Sequence, residues 1–116
     1  MGGGQNRVPA RFYRTAAGRE PVRGWLLGLS QEQRKQVGTD IATVEFGWPV
    51  GMPTCRPMGS GLHEVRTNLD GGSIAGVLFC VHERHRILLH GFLKKSARTA
   101  KGDLELARKR MKEILK

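Results

Sequence analysis

Three strand-like runs joined by short turn-forming clusters constrain the fold of this chain more than any other feature. The runs are rich in β-branched, leucine and aromatic side chains and cover residues 62–67, 74–81 and 85–93. The first connection, at 68–72, contains Asn, Asp and two Gly, and the second, at 82–84, has only three residues. Each connection is typical of a hairpin. The sequence therefore predicts an antiparallel β-meander with the apolar run 76–81 at its centre.

An αα-hairpin is predicted ahead of the meander. Proline is favoured at the first position of a helix, and Pro21 precedes apolar residues at helical spacing, namely Val22, Trp25, Leu26 and Leu29. Ser30 and Gln33 then have the spacing of a capping box. A second apolar stripe follows at Val37, Ile41 and Val44, and glycine and proline at 47–49 end it. We expect one helix over 21–29 and another from 30 to about 46.

The remaining segments complete an expected α+β fold. A short strand is predicted over 8–15, where β-branched and aromatic residues precede a turn. Four glycines and three prolines between 47 and 61 predict a loop, packed by Trp48 and Met52. Thr99 is a candidate N-cap for a C-terminal helix with apolar residues at Leu104, Ala107, Met111 and Ile114. This helix is expected to pack on the sheet.

Length and composition predict one globular domain over residues 1–116, with the glycine-rich stretch 1–7 flexible. No stretch approaches the roughly 20 apolar residues of a membrane span, and no apolar signal segment is evident near the amino terminus. Cys55 and Cys80 have no second pair, which favours a reducing cytoplasm over a disulfide framework. Cys80, His82, Glu83 and His85 surround one tight turn without a distant second ligand pair, so no metal or other cofactor is expected.

The charge of the chain points to a nucleic-acid partner. Its 20 Lys and Arg outnumber 10 Asp and Glu, which gives a formal net charge of +10 and a pI of about 10.6. Residues 91–116 hold nine of these basic groups and three of the acids, so +6 of the +10 lies there. A concentrated positive region is typical of proteins that bind RNA or DNA. Trp25 and Trp48 fall at predicted core positions, so neither is expected to stack on bases.

Four segments, in this order, resemble the phage-derived HigB-like branch of the RelE/ParE toxin superfamily. They are LHEVR at 62–66, VLFC at 77–80, LLHGFLKKS at 88–96 and LELAR at 104–108. The combination is more specific than any one motif, and the similarity extends from about Arg11 to Lys116. It implies a RelE-like fold and the toxin of a type II toxin–antitoxin system. Such toxins are usually endoribonucleases that enter the ribosomal A site and cut mRNA without a metal.

The meander carries candidate residues for that chemistry. Metal-free cleavage uses the 2′-OH of RNA as nucleophile, so cations must orient the phosphate and neutralise charge growing on its oxygens. Arg66 can fork two hydrogen bonds to a phosphate, although pairing with Glu64 or Asp70 is the alternative. Lys94 and Lys95 are candidates to bind and orient the phosphate, with one of them assisting proton transfer; an ordinary solvated charge pair is the alternative.

Further candidates, and one departure from the family, lie nearby. His90 is a candidate general acid or base, and a hydrogen-bonded core residue is the alternative. Residues expected to bind the RNA backbone are Arg98, Lys101 and Arg108. The family commonly has arginines before and within the V-L-F strand, where this chain has Ser73 and Gly76. If catalysis needs those arginines, the protein is weak or inactive.

Two classes of function therefore stay open. A ribosome-dependent mRNA endoribonuclease is favoured by the set Arg66, His90, Lys94 and Lys95. A non-catalytic protein, such as a gyrase-inhibiting ParE-like toxin, an RNA binder or a degenerate toxin, is favoured by Gly76 and by the presence of one tyrosine, Tyr13. The resemblance implies a helix-turn-helix antitoxin as partner and mRNA on the ribosome as substrate.

Overall fold

The computed structural model describes residues 8–47, 55–96 and 98–116. Over these residues the chain forms one five-stranded sheet and three helices. In chain order the elements are β1 (Ala10–Phe12), α1 (Pro21–Leu27), α2 (Gln31–Gly47), β2 (Cys55–Gly59), β3 (Leu62–Asn68), β4 (Ile74–His82), β5 (His85–Lys94) and α3 (Lys101–Ile114). The architecture is α+β and is compatible with a RelE-like fold. No helix in the described ranges is long and apolar enough to cross a membrane.

The sheet is mixed and has the strand order β1-β5-β4-β3-β2. β1 runs parallel to β5, whereas the other neighbouring pairs are antiparallel. β3, β4 and β5 form the predicted meander. Its turns have the positive φ angles of tight hairpins, 88° at both Gly71 and Gly72, 50° at Glu83 and 66° at Arg84. The β4–β5 turn thus holds two non-glycine residues in the left-handed region, a cost that strand pairing on both sides offsets.

The predicted loop over 47–61 is wrong for residues 55–59, which form strand β2. β2 lies at the edge of the sheet and pairs with β3, with Pro57 opposite His63. Proline is tolerated on an edge strand because one side of that strand has no ladder of hydrogen bonds to maintain. The turn that follows has positive φ at Gly59, Ser60 and Gly61, so its glycines serve the connection to β3. The expected packing of Trp48 and Met52 falls outside the described residues.

Helix and strand ends agree with the sequence at some positions and correct it at others. The capping box is confirmed, because the Gln33 backbone N–H donates to Ser30 Oγ and the Ser30 N–H donates to Gln33 Oε1, both at 3.1 Å. Thr99 as the N-cap of α3 is wrong. The cap is Ala100, and the Thr99 hydroxyl donates instead to Glu64 Oε2 at 2.5 Å. The N-terminal strand is also shorter than the predicted 8–15.

The sheet separates two apolar cores. One face packs against α1 and α2, and its core includes Val65, Val77 and Phe79. Trp25 belongs to this side, as predicted, and lies so close to Gly91 that an added Cβ there would be 2.3 Å from the indole ring. The opposite face, called here the α3 face, packs against α3 through residues that include Leu62, Leu78, Leu89, Ala107 and Met111. Alternation along the strands therefore decides which polar side chains meet beneath α3.

Candidate active site

A buried carboxylate, Glu64, organises the polar part of the α3 face. Its side chain is 0% exposed. Lys94 Nζ donates to both carboxylate oxygens at 3.3 Å, and Arg56 Nε donates to Oε1 at 3.3 Å. Thr99 adds its hydroxyl hydrogen bond and accepts one from Lys94 Nζ at 2.8 Å. Because a buried charge is tolerated only when it is paired, these partners are what allow Glu64 to lie there.

Three strands and the segment that precedes α3 bring this group together. Arg56 on β2 lies opposite Glu64 on β3 in the strand register. Arg66 shares the face of Glu64 because residues two apart on a strand point to the same side. Lys94 is the last residue of β5, and Thr99 immediately precedes the N-cap of α3. We call Arg56, Arg66 and Lys94, together with Glu64 and Thr99, the cation cluster.

The cation cluster has an excess of positive charge. Three cations surround one carboxylate, so the local charge is +2 when all of them are ionised. The side chains are 26% exposed for Arg56, 14% for Arg66 and 9% for Lys94, so water screens this charge only in part. Burial lowers the pKa of Lys94 below its usual value; Glu64 opposes that change, while Arg56 and Arg66 reinforce it. The cluster is therefore suited to accept an additional anion.

Arg66 is the least satisfied member of the cluster. Its Nε lies 3.9 Å from Glu64 Oε1, an ion pair too long for a hydrogen bond. That nitrogen is buried and has no hydrogen-bond partner among the described residues. The alternative raised from the sequence, pairing of Arg66 with Glu64, is thus present in a loose form. The arginine fork is positioned beside the carboxylate without being fully engaged by it.

An aromatic ring covers Gly76, the position where the resemblance implies an arginine. Gly76 lies between Arg66 and Phe92 in one cross-strand row. A Cβ added to Gly76 would be 2.6 Å from the Phe92 ring, so a long side chain there requires the ring to move. Lys94 Nζ lies 5.5 Å from the same ring centroid, within cation–π range. Phe92 therefore occupies the space that a residue-76 side chain would need.

His90 lies on the same face beside the start of α3. Its Nε2 is 2.7 Å from Asp103 Oδ1, and its ring stacks on Phe92 with centroids 5.5 Å apart. Since an ionised carboxylate only accepts hydrogen bonds, Nε2 carries the hydrogen in this pair. In the strand register Leu78 separates His90 from Glu64, which places their backbones two strand spacings, roughly 10 Å, apart. Asp103 thus orients an imidazole that flanks the cation cluster.

The other predicted site residues have different environments. Lys95 follows the end of β5 and is exposed, so it does not share the buried position of Lys94. Arg98 and Lys101 are also exposed, close in sequence to Thr99. Arg108 has a structural role, because its guanidinium donates to the carbonyls of Met58 at 2.8 Å and Gly59 at 3.3 Å. The sequence-based set therefore divides into buried, exposed and tethering side chains.

The chain matches a known family over most of its length. The model for the family described as phage derived protein Gp49-like (DUF891) matches residues 24–112, which include every member of the cation cluster. The chain belongs to this family. Gp49-like proteins form a toxin-type family of toxin–antitoxin systems within the RelE/HigB-like toxin superfamily, so an antitoxin is the expected partner. No curated protein matches the chain.

Sequence reasoning missed several functional candidates of this Gp49-like protein. The sequence predicts a loop around Arg56, which lies on β2, and no local pattern indicates that it meets Glu64. The two-residue spacing of Glu64 and Arg66 was a usable signal, since it places both on one face of β3. Asp103 lies in the first turn of α3, where acids stabilise a helix. Its presence is explained by that role alone, so the sequence does not indicate its contact with His90.

The cysteines of the Gp49-like chain are buried thiols. Cys55 and Cys80 are both free, and each is 2% exposed. Burial raises the pKa of Cys55, and it raises that of Cys80 to about 11. Both therefore carry their proton at neutral pH, which disfavours thiolate chemistry. Across the described ranges, His, Cys, Asp and Glu side chains form no group of three or more suited to hold a metal.

Proposed function

We propose that this protein is a HigB-like toxin that acts in the cytoplasm and stops translation by cutting mRNA on the ribosome without a metal ion. The cation cluster supports this proposal. It gathers two arginines and a lysine at one end of the sheet around a single carboxylate. An RNA phosphate is an anion of the right size and charge to bind beside them.

The proposed reaction is an internal transfer at phosphorus. The 2′-oxygen attacks the adjacent phosphorus and gives its proton to the neutral amine of Lys94 or to water, the bond from phosphorus to the 5′-oxygen breaks, and that oxygen takes a proton from His90. The products are a 2′,3′-cyclic phosphate and a free 5′-hydroxyl. Negative charge grows on the phosphate oxygens in the transition state, where preorganised cations stabilise it more than they stabilise the substrate.

Each side chain has a role that its environment favours. Arg66 forks onto the phosphate oxygens, since Glu64 holds its Nε only loosely at 3.9 Å. Lys94, whose lowered pKa eases proton loss, donates to a phosphate oxygen or assists proton transfer. His90 in its doubly protonated form keeps its Nε2–H on Asp103 and gives its Nδ1 proton to the leaving oxygen. Lys95, Arg98 and Lys101 are exposed and bind the backbone of the mRNA.

The expected antitoxin is a helix-turn-helix protein that covers this positive end of the molecule. Acidic side chains on the antitoxin would compete with RNA for the same cations. Such a partner neutralises the toxin by occupying the cation cluster rather than by changing its fold.

Two contacts favour a second candidate, a toxin that does not cut RNA and instead inhibits gyrase. Glu64 already engages Lys94 and Arg56. The Phe92 ring fills the space above Gly76, where the family commonly has an arginine. If these features prevent the cluster from reaching a phosphate, the protein acts by binding alone.

Cell-free translation with primer extension across the mRNA tests the proposal. We expect discrete cuts with the wild-type protein and a loss of about 100-fold or more in cleavage rate for Arg66→Ala and Lys94→Ala. Lys95→Ala, tested separately because Lys95 is exposed, should weaken cleavage less. The matched control is Lys112→Ala, which removes an exposed charge from α3. Intact mRNA in the presence of folded protein rejects the nuclease, and inhibition of supercoiling by gyrase then supports the second candidate.

A further inference from the structure

An open groove lies between β2 and the start of α3, directly beside the cation cluster. Its volume is about 590 Å³, and it is lined by Arg56, Pro57, Met58, Arg98, Thr99 and Leu104. Sites for small ligands commonly measure roughly 300–1,000 Å³, so the groove has room for a nucleotide.

The chemistry of the groove combines apolar surface with positive charge. Pro57, Met58 and Leu104 supply the apolar part, and Arg56 and Arg98 supply guanidinium groups. Among the described residues no carboxylate lines it. A nucleotide has the complementary pair of features, an apolar base face and a phosphate with full negative charge.

Two residues belong both to the groove and to the cation cluster. Arg56 donates to Glu64 and approaches Thr99 Oγ1 with Nη2 at 3.5 Å, and both Arg56 and Thr99 line the groove. A strand of RNA with one phosphate beside Lys94 and Arg66 would therefore place a neighbouring nucleotide in the groove.

We propose that this groove binds the nucleotide of single-stranded RNA that flanks the scissile phosphate, with its base against Met58 and Leu104 and its phosphate near Arg98. The inference rests on the proposed function, because the scissile phosphate defines which nucleotide is the neighbour. The groove contacts a base and so affects which sites are bound, whereas the cation cluster contacts only phosphate.

Fluorescence anisotropy with an uncleavable, 2′-O-methylated single-stranded RNA tests the groove apart from catalysis. Arg98→Ala should weaken binding about tenfold, because it removes a guanidinium that forms charge-assisted hydrogen bonds to the phosphate in the groove. Lys112→Ala removes one exposed charge elsewhere and should weaken binding about twofold or less. Thermal unfolding confirms that each variant is folded.

A second pair of measurements isolates the base. Met58→Ala changes no charge and should weaken binding to the RNA, yet leave binding to a strand with an abasic site unchanged. Met58 also packs against the core, so Met58→Gln, which keeps the length of the side chain, serves as a second variant if the alanine variant unfolds. The wild-type protein should bind the abasic strand about tenfold more weakly than the intact strand.

Several results would overturn the groove assignment. The groove holds no base if Arg98→Ala and Lys112→Ala weaken binding equally. The same conclusion follows if the wild type binds intact and abasic strands with equal affinity, or binds neither. If Arg98→Ala weakens the complex with an acidic antitoxin but not with RNA, the groove is a protein-binding site. If base-dependent binding persists while translated mRNA stays intact, the groove stands and the nuclease fails. If translated mRNA is cut but binding does not depend on the base, the nuclease stands and the groove assignment fails.

Discussion

At the scale of single residues, Glu64 is the clearest case of a charged group whose placement depends on its partners. It is 0% exposed and receives hydrogen bonds from Lys94, Arg56 and Thr99. Burial of a carboxylate costs several kcal/mol, and the partners offset that cost only while all of them are present. Glu64 therefore holds the cations in place, and its own burial depends on them.

Glu64→Gln should destabilise the protein by about 3 kcal/mol, because three cations would remain close together in a poorly hydrated place without their counter-charge. Urea unfolding followed by circular dichroism measures this change. Glu105→Gln is the matched control, an exposed carboxylate on α3 whose loss should change stability by less than about 0.5 kcal/mol. Equal stability of the Glu64 variant and the wild type would contradict the assigned role.

The buried thiol of Cys80 predicts a dependence of stability on pH. Burial raises its pKa to about 11, above the ordinary thiol value of 9.0 that applies to the unfolded chain. The folded state thus keeps a proton that the unfolded state releases, so this stabilisation is complete below the unfolded pKa and is lost as pH rises through the folded one. The loss should amount to roughly 2–3 kcal/mol.

Urea unfolding of wild type and Cys80→Ala under reducing conditions, from about pH 8 to about pH 11, tests this prediction. The stability difference between the two proteins should shrink as the pH rises, since only the wild type has the thiol. Other groups that titrate in this range are common to both proteins and cancel in the comparison. Parallel stability curves would show that the Cys80 pKa is unchanged by folding.

At the scale of elements, β2 is the strand that completes the candidate site. It brings Arg56 opposite Glu64 and forms one wall of the groove, with α3 as the other. Arg108 joins these two walls through hydrogen bonds to the carbonyls of Met58 and Gly59. An edge strand has neighbours on one side only, so this tether supplies part of what holds β2 in place.

Arg108→Ala should loosen β2 selectively. Each lost hydrogen bond contributes about 1 kcal/mol, so the amide hydrogens of β2 should exchange about tenfold faster, while those of central β4 change little. Hydrogen exchange followed by mass spectrometry or NMR resolves the two strands. Lys109→Ala is the control, because its side chain is exposed beside Arg108. Uniform acceleration of both strands would indicate a global loss of stability instead.

At the scale of the whole molecule, the sheet divides structural and functional tasks between its faces. One face is covered by α1 and α2, with apolar residues in the core. The other contains an apolar core under α3 and the cation cluster at the helix start. Exposed lysines along α3, including Lys101, Lys109 and Lys112, extend the positive potential outward from that site. A field of this kind attracts an anionic partner before close contact is made.

Much of the fold was predictable because its signals are local. Turn-forming residues and strand periodicity located the β3–β5 meander, Pro21 marked the start of α1, and the capping box of Ser30 and Gln33 marked the start of α2. Arg66 and Lys94 are predicted as site residues from the motifs around them, and the structure brings both side chains to Glu64. Each of these inferences depends on residues within one turn or one strand of each other.

The tertiary structure alone decided how those pieces form a site. β2 is a strand because β3 offers it a hydrogen-bonding partner. The local sequence of residues 55–59 does not predict a strand, since its proline and glycine disfavour one. Thr99 caps no helix because a buried carboxylate 35 positions earlier in the chain binds its hydroxyl. Glu64, Arg56 and Lys94 meet only once the four strands β2, β3, β4 and β5 pair in register. The sequence by itself determined the helices and most strands, because their stability depends on neighbouring residues. Only the tertiary structure decided which charges meet, because a buried carboxylate must be paired and its partners are distant in the chain.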